Sequence, residues 1–331
     1  MIITQTPLRV ALGGGGTDLA SYYSKFEGFW ITAAINKYVY ITLNDSFDKE
    51  IRAHYSEIEV VNDINEITHP LIRESFKLTG LNKKGIEATS MADVPAGTGL
   101  GSSGSYTVGL LKALHAYKRE HITTYNLAEE ACNIEIGILN EPIGKQDQYA
   151  AAFGGINQYH ADKNGKITVI PLQISNDTLF DLENNLLLFF TGYSRNSYDI
   201  LSHQNNATKK DSQAMIENLN EIKKLGQECK EALESGNTLR FGELMNIHWQ
   251  NKKKRSPGIT NSEIDEWYNI AMQNGAVGGK LIGAGGGGFL MFYAKNSDRL
   301  RAAMKKIGLR ELRFKFDFEG SKIVMNYDNT Y

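Results

Sequence analysis

The sequence predicts an α+β fold built from two domains. Its 331 residues exceed the ~100–200 residues that one hydrophobic core usually organises. Segments with the composition of strands are mixed with segments of helical periodicity, without the regular strand–helix alternation of an α/β sheet. The softest boundary lies within residues 160–185, so we expect one domain over 1–180 and a second over 181–331.

Hydrophobic periodicity assigns the elements in chain order. Runs of β-branched and aromatic residues predict strands, which we place at 7–12, at 29–44, at 186–190, on both sides of a glycine turn within 280–293, and as a closing pair within 313–326. Apolar residues that recur every three or four positions predict helices, which we place after residue 102, over about 125–140, and twice within 207–250.

The composition is that of a soluble enzyme or binding protein. Hydrophobic residues make up 41% and charged residues 22% of the chain, and the net charge is −2. This lacks the basic excess of proteins that bind nucleic acid or membrane surfaces, so we expect neither partner. No apolar run approaches the ~20 residues of a membrane span, and residues 1–10 do not have the pattern of a signal peptide, which favours a cytoplasmic location. Cys132 and Cys229 lack the spacing of a disulfide framework or a zinc site.

Glycine is concentrated in three short clusters. Of the 32 glycines, four lie at 13–16, four at 97–104 and seven at 278–288. Clusters of this kind mark places where the backbone bends sharply or approaches a ligand closely.

The second cluster has the properties of a phosphate-binding loop. Residues 99–104, "GLGSSG", fit the pattern GxGxxG, but a dinucleotide-binding fold requires a second strand where this chain predicts two helices. The P-loop lysine and the protein-kinase signatures HRD and DFG do not occur. Free amides at the start of the following helix still favour an anion, most commonly phosphate. A glycine-rich turn with a serine N-cap and no ligand explains this stretch equally well.

Two carboxylates, Glu135 and Asp147, are candidate functional residues because of their positions. Glu135 lies among apolar residues on one face of the predicted helix, where a charge is unfavourable unless a cation or strong donors meet it. It is either a salt-bridge partner at the edge of that face or a metal ligand. Asp147 begins a short helix of small residues that ends at Gly154, a position that the helix dipole alone would favour.

Three motifs, taken together, resemble those of the GHMP small-molecule kinases. They are "PLRVALGGGGTD" at 7–18, "PAGTGLGSSG" at 95–104 and "KLIGAGGGGF" at 280–289. The resemblance implies an N-terminal ribosomal-protein-like α/β domain, a C-terminal ferredoxin-like domain and an active site between them. It also implies ATP and Mg²⁺, small-molecule substrates, and a homodimer as an open option.

The resemblance further implies roles for individual residues. Asp147 would be the catalytic base, with Arg9 beside it, and Ser103 and Glu135 would be the Mg²⁺ ligands. The loop that binds the ATP phosphates would comprise Gly97, Gly99, Leu100, Gly101, Ser102, Ser103 and Gly104. Asp18 would bind sugar hydroxyls, together with Gly15, Gly16, Thr17, Gly285 and Gly286.

The acceptor is indicated by the segments "GGGGTDLASYY" (13–23), "TGYSRNS" (191–197) and "HWQNKKKRSPGITN" (248–261), which resemble those of heptose 7-phosphate kinases. The implied reaction phosphorylates the anomeric (C1) hydroxyl of a heptose 7-phosphate to give the 1,7-bisphosphate, towards nucleotide-activated heptose. Such an acceptor needs a second anion site, for which we favour Arg195. Most of the four cations at 252–255 are interpreted as a solvated helix face. The alternatives are a 1-kinase for an unphosphorylated, fucose-type sugar, a non-catalytic sugar- or ATP-binding sensor on the same fold, and, as an outsider, a dehydrogenase.

Overall fold

The computed structural model describes residues 1–192, 198–210 and 212–327. Within these ranges the strands are β1 (Ile2–Gly13), β2 (Gly28–Asp45), β3 (Ile51–His54), β4 (Ile58–Val61), β5 (Ile86–Ala92), β6 (Ile156–Ala161), β7 (Ile167–Pro171), β8 (Leu186–Phe190), β9 (Ala276–Leu281), β10 (Phe289–Ala294), β11 (Arg310–Leu312) and β12 (Lys322–Asn326).

The helices that accompany them are α1 (Ala20–Phe26), α2 (Pro70–Leu78), α3 (Ser102–Tyr117), α4 (Thr124–Cys132), α5 (Gln146–Phe153), α6 (Asn176–Asn185), α7 (Tyr198–Lys209), α8 (Gln213–Glu234), α9 (Thr238–Lys253), α10 (Ser262–Gln273) and α11 (Ser297–Lys306). A 3₁₀ turn occupies Ile64–Glu66, and a π-helix occupies Asn133–Ile138 directly after α4. The mixture of strands and helices confirms the predicted α+β class.

The first sheet is organised by β1 and β2, whose β-branched and aromatic residues favour extended backbone. Its strand order is β12-β1-β2-β5-β3-β4, and β6 pairs with both β2 and β7. β1 and β2 run antiparallel, from Ile2 opposite Leu43 to Gly13 opposite Ile31. α3 packs across both strands. This packing brings the start of α3 close to the middle of β1.

The second sheet has the strand order β11-β8-β10-β9, and its pairs are antiparallel. The chain leaves β8 through helices, returns as the β9–β10 hairpin, and reaches β11 through α11. This connectivity and strand order define a ferredoxin-like sheet, as the resemblance implies. The glycines at 283–288 form the turn of the β9–β10 hairpin.

The predicted closing strand pair within 313–326 is only partly correct, because the second strand is present as β12 but has no partner strand within this segment. β11 ends at Leu312 and pairs with β8, whereas β12 pairs with β1 in the other sheet. The segment between them is held by Phe314 and Phe316, which are buried in the core. The chain therefore crosses from the second sheet to the first, and the division at residue 180 stays a prediction.

The long helical prediction over 125–140 is only partly correct. α4 ends at Cys132, and the π-helix that follows adds an extra residue to its turn. Because of that extra residue, Ile138 is 41% exposed although a continuous α-helix would have placed it on the apolar face. Among the described residues, no helix has the length and apolar character that crossing a membrane requires.

Candidate active site

The second glycine cluster forms a tight loop between β5 and α3. Gly97, Gly99 and Gly101 have φ values of 74°, 82° and 78°, in the left-handed region that favours glycine. Gly101 is the N-cap of α3, and no side chain caps this helix. The first amides of α3 therefore lack the side-chain acceptor that a serine N-cap would have supplied. Together with the helix dipole they form an anion-binding position.

The third glycine cluster, at 278–288, packs directly against this loop. A Cβ added to Gly99 would lie 2.6 Å from the carbonyl oxygen of Ile282, and one added to Gly288 would lie 2.1 Å from that of Thr98. A Cβ on Gly283 would lie 2.6 Å from the Cα of Gly99. The two clusters thus pack backbone against backbone, in a space that admits no side chain.

Arg9 and Asp147 form an ion pair beside the loop. The Arg9 Nε donates to Asp147 Oδ1 at 2.8 Å, and an Arg9 terminal nitrogen lies 2.6 Å from the same oxygen. The other terminal nitrogen donates to the carbonyl oxygen of Gly99 at 2.5 Å. The Arg9 side chain is 7% exposed, whereas that of Asp147 is 25% exposed and remains accessible from the cavity. Arg9 therefore fixes the Asp147 carboxylate in position relative to the phosphate loop.

Glu135 lies on the π-helix and is 2% exposed. Its Oε1 accepts from Gln148 Nε2 at 2.8 Å. Burial raises the pKa of this carboxyl to about 7, and the nearby Asp147 charge adds to that rise. Hydrogen bonds from Gln148, Ser103 and Thr107 act in the opposite direction. Among the described residues the carboxylate has no basic side chain as an ion-pair partner, so the salt-bridge interpretation is not supported.

These oxygens fit a magnesium ion. Mg²⁺ prefers a small number of carboxylate and hydroxyl ligands and keeps its remaining sites for water and phosphate oxygens. Glu135 supplies a buried carboxylate that lacks a counter-charge, and Ser103 supplies a hydroxyl hydrogen-bonded to it. In the part of the chain that the structure describes, no group of three or more His, Cys, Asp and Glu side chains could hold a metal by itself. A site completed by ATP phosphates is compatible with this arrangement.

The raised pKa of Glu135 leads to a prediction about stability. Because the folded-state pKa, about 7, exceeds the ordinary value of 4.5, the folded protein binds this proton more tightly than the unfolded chain. Stability should therefore fall as pH rises through this window, with a slope of up to ~1.4 kcal/mol per pH unit from this group. Glu135→Gln cannot titrate, so its stability relative to wild type should increase from pH 5 to pH 7. Urea unfolding in a chelating buffer measures the difference, and a constant difference across this range would contradict the assignment.

Asp18 lies at the end of the first glycine cluster and is also buried. Its Oδ1 accepts from the Gly16 amide at 2.8 Å, and a Cβ on Gly144 would lie 2.0 Å from its Oδ2. Burial raises the pKa of Asp18, and the charge of Asp147 raises it further. The Thr17 hydroxyl instead donates to the carbonyl oxygens of Gly14 and Phe29, so it supports the turn from inside.

One cavity of about 1010 Å³ joins these groups. The predicted site residues that line it are Arg9, Gly15, Gly16, Asp18, Gly97, Gly99, Gly101, Ser102, Ser103, Glu135, Asp147 and Gly285. The cavity wall formed by described residues does not include Thr17, Leu100, Gly104 or Gly286. Leu100 is a core residue whose carbonyl oxygen accepts from the Arg9 amide at 2.9 Å, and Gly286 donates to Ile259. Arg195 lies outside the described residues.

Two parts of the cavity wall were not predicted from the sequence. One end is lined by the rings of Tyr55, His69 and Tyr106, with the His69 ring 4.5 Å from that of Tyr55. The other end is lined by the basic side chains of His248, Lys252, Arg255 and Lys280.

The interpretation of residues 252–255 as a solvated helix face is wrong for two of the four cations. Lys252 and Arg255 are 6% and 7% exposed, whereas Lys254 is exposed and Lys253 is partly so. The burial of Lys252 could have been predicted from helical periodicity. It lies three, four and seven residues after Trp249, His248 and Met245, and all of these residues are buried in α9.

Comparisons with known proteins agree with this geometry. A family model described as GHMP kinases N terminal domain matches residues 64–155, and one described as GHMP kinases C terminal matches residues 229–309. A D-glycero-alpha-D-manno-heptose 7-phosphate kinase of Campylobacter jejuni is 33% identical, over 97% of this chain and 98% of that protein. A bifunctional fucokinase/GDP-fucose pyrophosphorylase of Arabidopsis thaliana is 23% identical, over 92% of this chain and 31% of that protein.

A solved structure has the same fold. The crystal structure of a D-glycero-D-manno-heptose 1-phosphate kinase from Bacteroides thetaiotaomicron superposes with a TM-score of 0.82 at 26% identity. The match covers 99% of this chain and 100% of that one. The predicted two-domain fold is thereby confirmed.

Proposed function

The chain belongs to the GHMP kinases, which are ATP-dependent phosphotransferases, and we propose that it phosphorylates the anomeric hydroxyl of a heptose 7-phosphate. The proposal is supported by three features that line one cavity: the glycine loop at 97–104, the Arg9–Asp147 ion pair, and a group of buried basic side chains that we call the basic wall. The basic wall consists of His248, Lys252, Arg255 and Lys280. The loop and the carboxylate suit phosphoryl transfer to a hydroxyl, and the basic wall suits an acceptor that already carries an anion.

The residues that line the cavity support a position for each of the two substrates. The adenine of ATP would lie at the end lined by Tyr55, His69 and Tyr106, where flat and apolar surfaces accommodate a base. Its phosphates would follow the loop at 97–104 towards Asp147. The acceptor would enter beside Asp18 and the glycines at 15–16, where the carboxylate can accept from sugar hydroxyls.

Asp147 is proposed to act as the base. It would accept the proton of the anomeric hydroxyl as that oxygen forms a bond to the γ-phosphorus, while the bond from the γ-phosphorus to the bridging oxygen breaks and ADP leaves. Arg9 would keep the carboxylate oriented and would oppose the developing negative charge. The loop amides would stabilise charge on the phosphate oxygens. Mg²⁺, held by Ser103 and Glu135, would neutralise phosphate charge when bound.

Turnover measurements on a panel of sugars test the proposal. ATP consumption should be fastest with a heptose 7-phosphate, and ³¹P NMR of the product should show a second phosphate coupled to the anomeric proton. Turnover restricted to unphosphorylated sugars would favour the fucose-type alternative instead. ATP binding without ADP release for any sugar would favour the non-catalytic sensor.

The domain division at 180, the cytoplasmic location and a homodimer are also part of this proposal. Light scattering of the purified protein would measure its mass against the 36.9 kDa of one chain.

A further inference from the structure

The four side chains of the basic wall are more deeply buried than basic side chains usually are. His248, Lys252, Arg255 and Lys280 come from α9, the turn that follows it, and β9, and they are between 3% and 7% exposed. Lysine and arginine are seldom buried to this degree unless a counter-charge meets them. Among the described residues, none of the four forms an ion pair with an acidic side chain.

The two lysines donate hydrogen bonds to uncharged backbone carbonyl groups instead. Lys252 Nζ donates to the carbonyl oxygens of Leu281, at 2.9 Å, and Gly283, and Lys280 Nζ donates to that of Leu12 at 2.8 Å. Such dipoles offset part of the desolvation of the ammonium groups without supplying a negative charge. Burial and mutual repulsion therefore lower the pKa of Lys280 to about 8 and that of Lys252 well below its ordinary range.

Arg255 has unused hydrogen-bonding capacity. Its Nε and one terminal nitrogen make long contacts of 3.2–3.3 Å to Asn218, Gly15 and Gln204. Within the described part of the chain, the other terminal nitrogen has no partner although it is buried. Both ring nitrogens of His248 are likewise buried and without a partner there. Burial lowers the pKa of His248 well below its ordinary value, so one of its ring nitrogens is a donor and the other an acceptor. Buried polar groups are almost always hydrogen-bonded in folded proteins, so the free Arg255 nitrogen and the ring N–H of His248 indicate a ligand that accepts hydrogen bonds.

The location places this ligand on the acceptor side. A Cβ on Gly16 would lie 2.5 Å from the Arg255 guanidinium, and the charge of Asp18 raises the pKa of Arg255 against the effect of burial. The aromatic end of the cavity is lined by other elements, namely α2, β5 and α3 with the residues that precede α2. A guanidinium with a free terminal nitrogen and the nearby Nζ donor of Lys252 match the oxygens of a phosphate group.

We propose that Arg255, with Lys252 and His248, binds the phosphate group that the acceptor sugar carries before the reaction. This inference rests on the proposed function in taking the acceptor to be a phosphorylated sugar. It assigns acceptor specificity to the end of α9 and the turn after it. The distance between this subsite and Asp147 then determines which hydroxyl of the sugar is presented to the base.

Paired binding and kinetic measurements test the site. Inorganic phosphate is titrated into protein saturated with Mg²⁺ and a non-hydrolysable ATP analogue, so that the glycine loop is occupied. The wild type should bind phosphate, whereas Arg255→Met should lose this binding. The same variant should raise the KM for a heptose 7-phosphate at least ~30-fold and leave the KM for ATP within about twofold. Lys252→Met should act in the same direction.

Lys254→Met is the matched control, because Lys254 belongs to the same run of cations but is exposed. It should leave both the phosphate affinity and the two KM values unchanged. Thermal stabilisation by the ATP analogue shows whether each variant is folded. If Arg255→Met does not fold, Arg255→Lys replaces it, because lysine keeps the charge but lacks the planar guanidinium. Arg255→Lys should show an intermediate loss of phosphate affinity.

The two proposals fail in different ways. If the wild type phosphorylates a heptose 7-phosphate but Arg255→Met and Lys252→Met have its KM, the phosphate subsite is refuted and the proposed function stands. If no phosphorylated sugar is a substrate, yet phosphate binds to wild type and not to Arg255→Met, the proposed function is refuted and the anion site stands.

Discussion

Asp147→Asn should lower kcat at least ~100-fold while ATP binds with nearly its normal affinity. The carboxylate accepts two contacts from Arg9 and reaches the cavity beside the phosphate loop, so it is placed to take a proton from an acceptor hydroxyl. Asparagine has a similar shape and can still accept a hydrogen bond from Arg9, but its amide cannot accept this proton. The loss should therefore appear in kcat, with little change in the KM of either substrate.

Steady-state kinetics and equilibrium binding of an ATP analogue measure the two effects. Asp298→Asn makes the same chemical change at a side chain that is 95% exposed, and it should have wild-type kinetics. An Asp147→Asn variant with wild-type turnover would eliminate the base from the mechanism. A variant that loses ATP binding as well would show that Asp147 acts on the structure of the loop.

Gly99→Ala should disrupt the nucleotide site through packing. At this position φ is +82° and an added Cβ would lie 2.6 Å from the carbonyl oxygen of Ile282 and 3.2 Å from the Cα of Gly283. Neither contact is with a flexible side chain, so the two glycine clusters must move apart. Because the amides at the start of α3 depend on that contact for their direction, the affinity for ATP should fall at least ~10-fold.

Gly308→Ala provides the control for backbone strain. Its φ is +84°, almost the same as that of Gly99, but an added Cβ there would have no atom within 4 Å. Both variants should lose about 1 kcal/mol of stability from the left-handed backbone. Only Gly99→Ala should weaken ATP binding, which calorimetry would measure. Equal effects of the two substitutions on ATP affinity would show that the packing of the clusters does not matter.

The predictable parts of the fold and site depended on local patterns. β1, β2 and α3 could be predicted because the pattern of apolar residues within each segment is characteristic of its secondary structure. The glycine clusters mark turns, and they lie where the backbone reverses direction. Glu135 could be identified because a carboxylate conflicts with the apolar residues around it. The structure confirms its burial, although a π-helix presents it to the cavity.

The parts that could not be predicted depend on contacts between distant segments. β12 leaves its sequence neighbours for β1, more than 300 residues earlier, and this pairing has no local signature. Lys252 and Arg255 belong to a run of cations that is typical of a solvated surface. Only the packing of α9 against β9 shows that the first and the last of the four cations face inward. Asp147 has an ordinary explanation in the helix dipole, and only the fold brings the Arg9 Nε to 2.8 Å from its carboxylate.

In the proposed mechanism, a nucleotide phosphate on the loop at 97–104 and an acceptor held by the basic wall meet at Asp147. The most direct measurement is a crystal structure of Asp147→Asn with ATP, Mg²⁺ and heptose 7-phosphate. We expect the γ-phosphate at the start of α3, the anomeric hydroxyl within hydrogen-bonding distance of the substituted side chain, and the 7-phosphate against Arg255. An acceptor bound with its anomeric hydroxyl away from residue 147, or ATP phosphates bound away from the loop, would refute this mechanism.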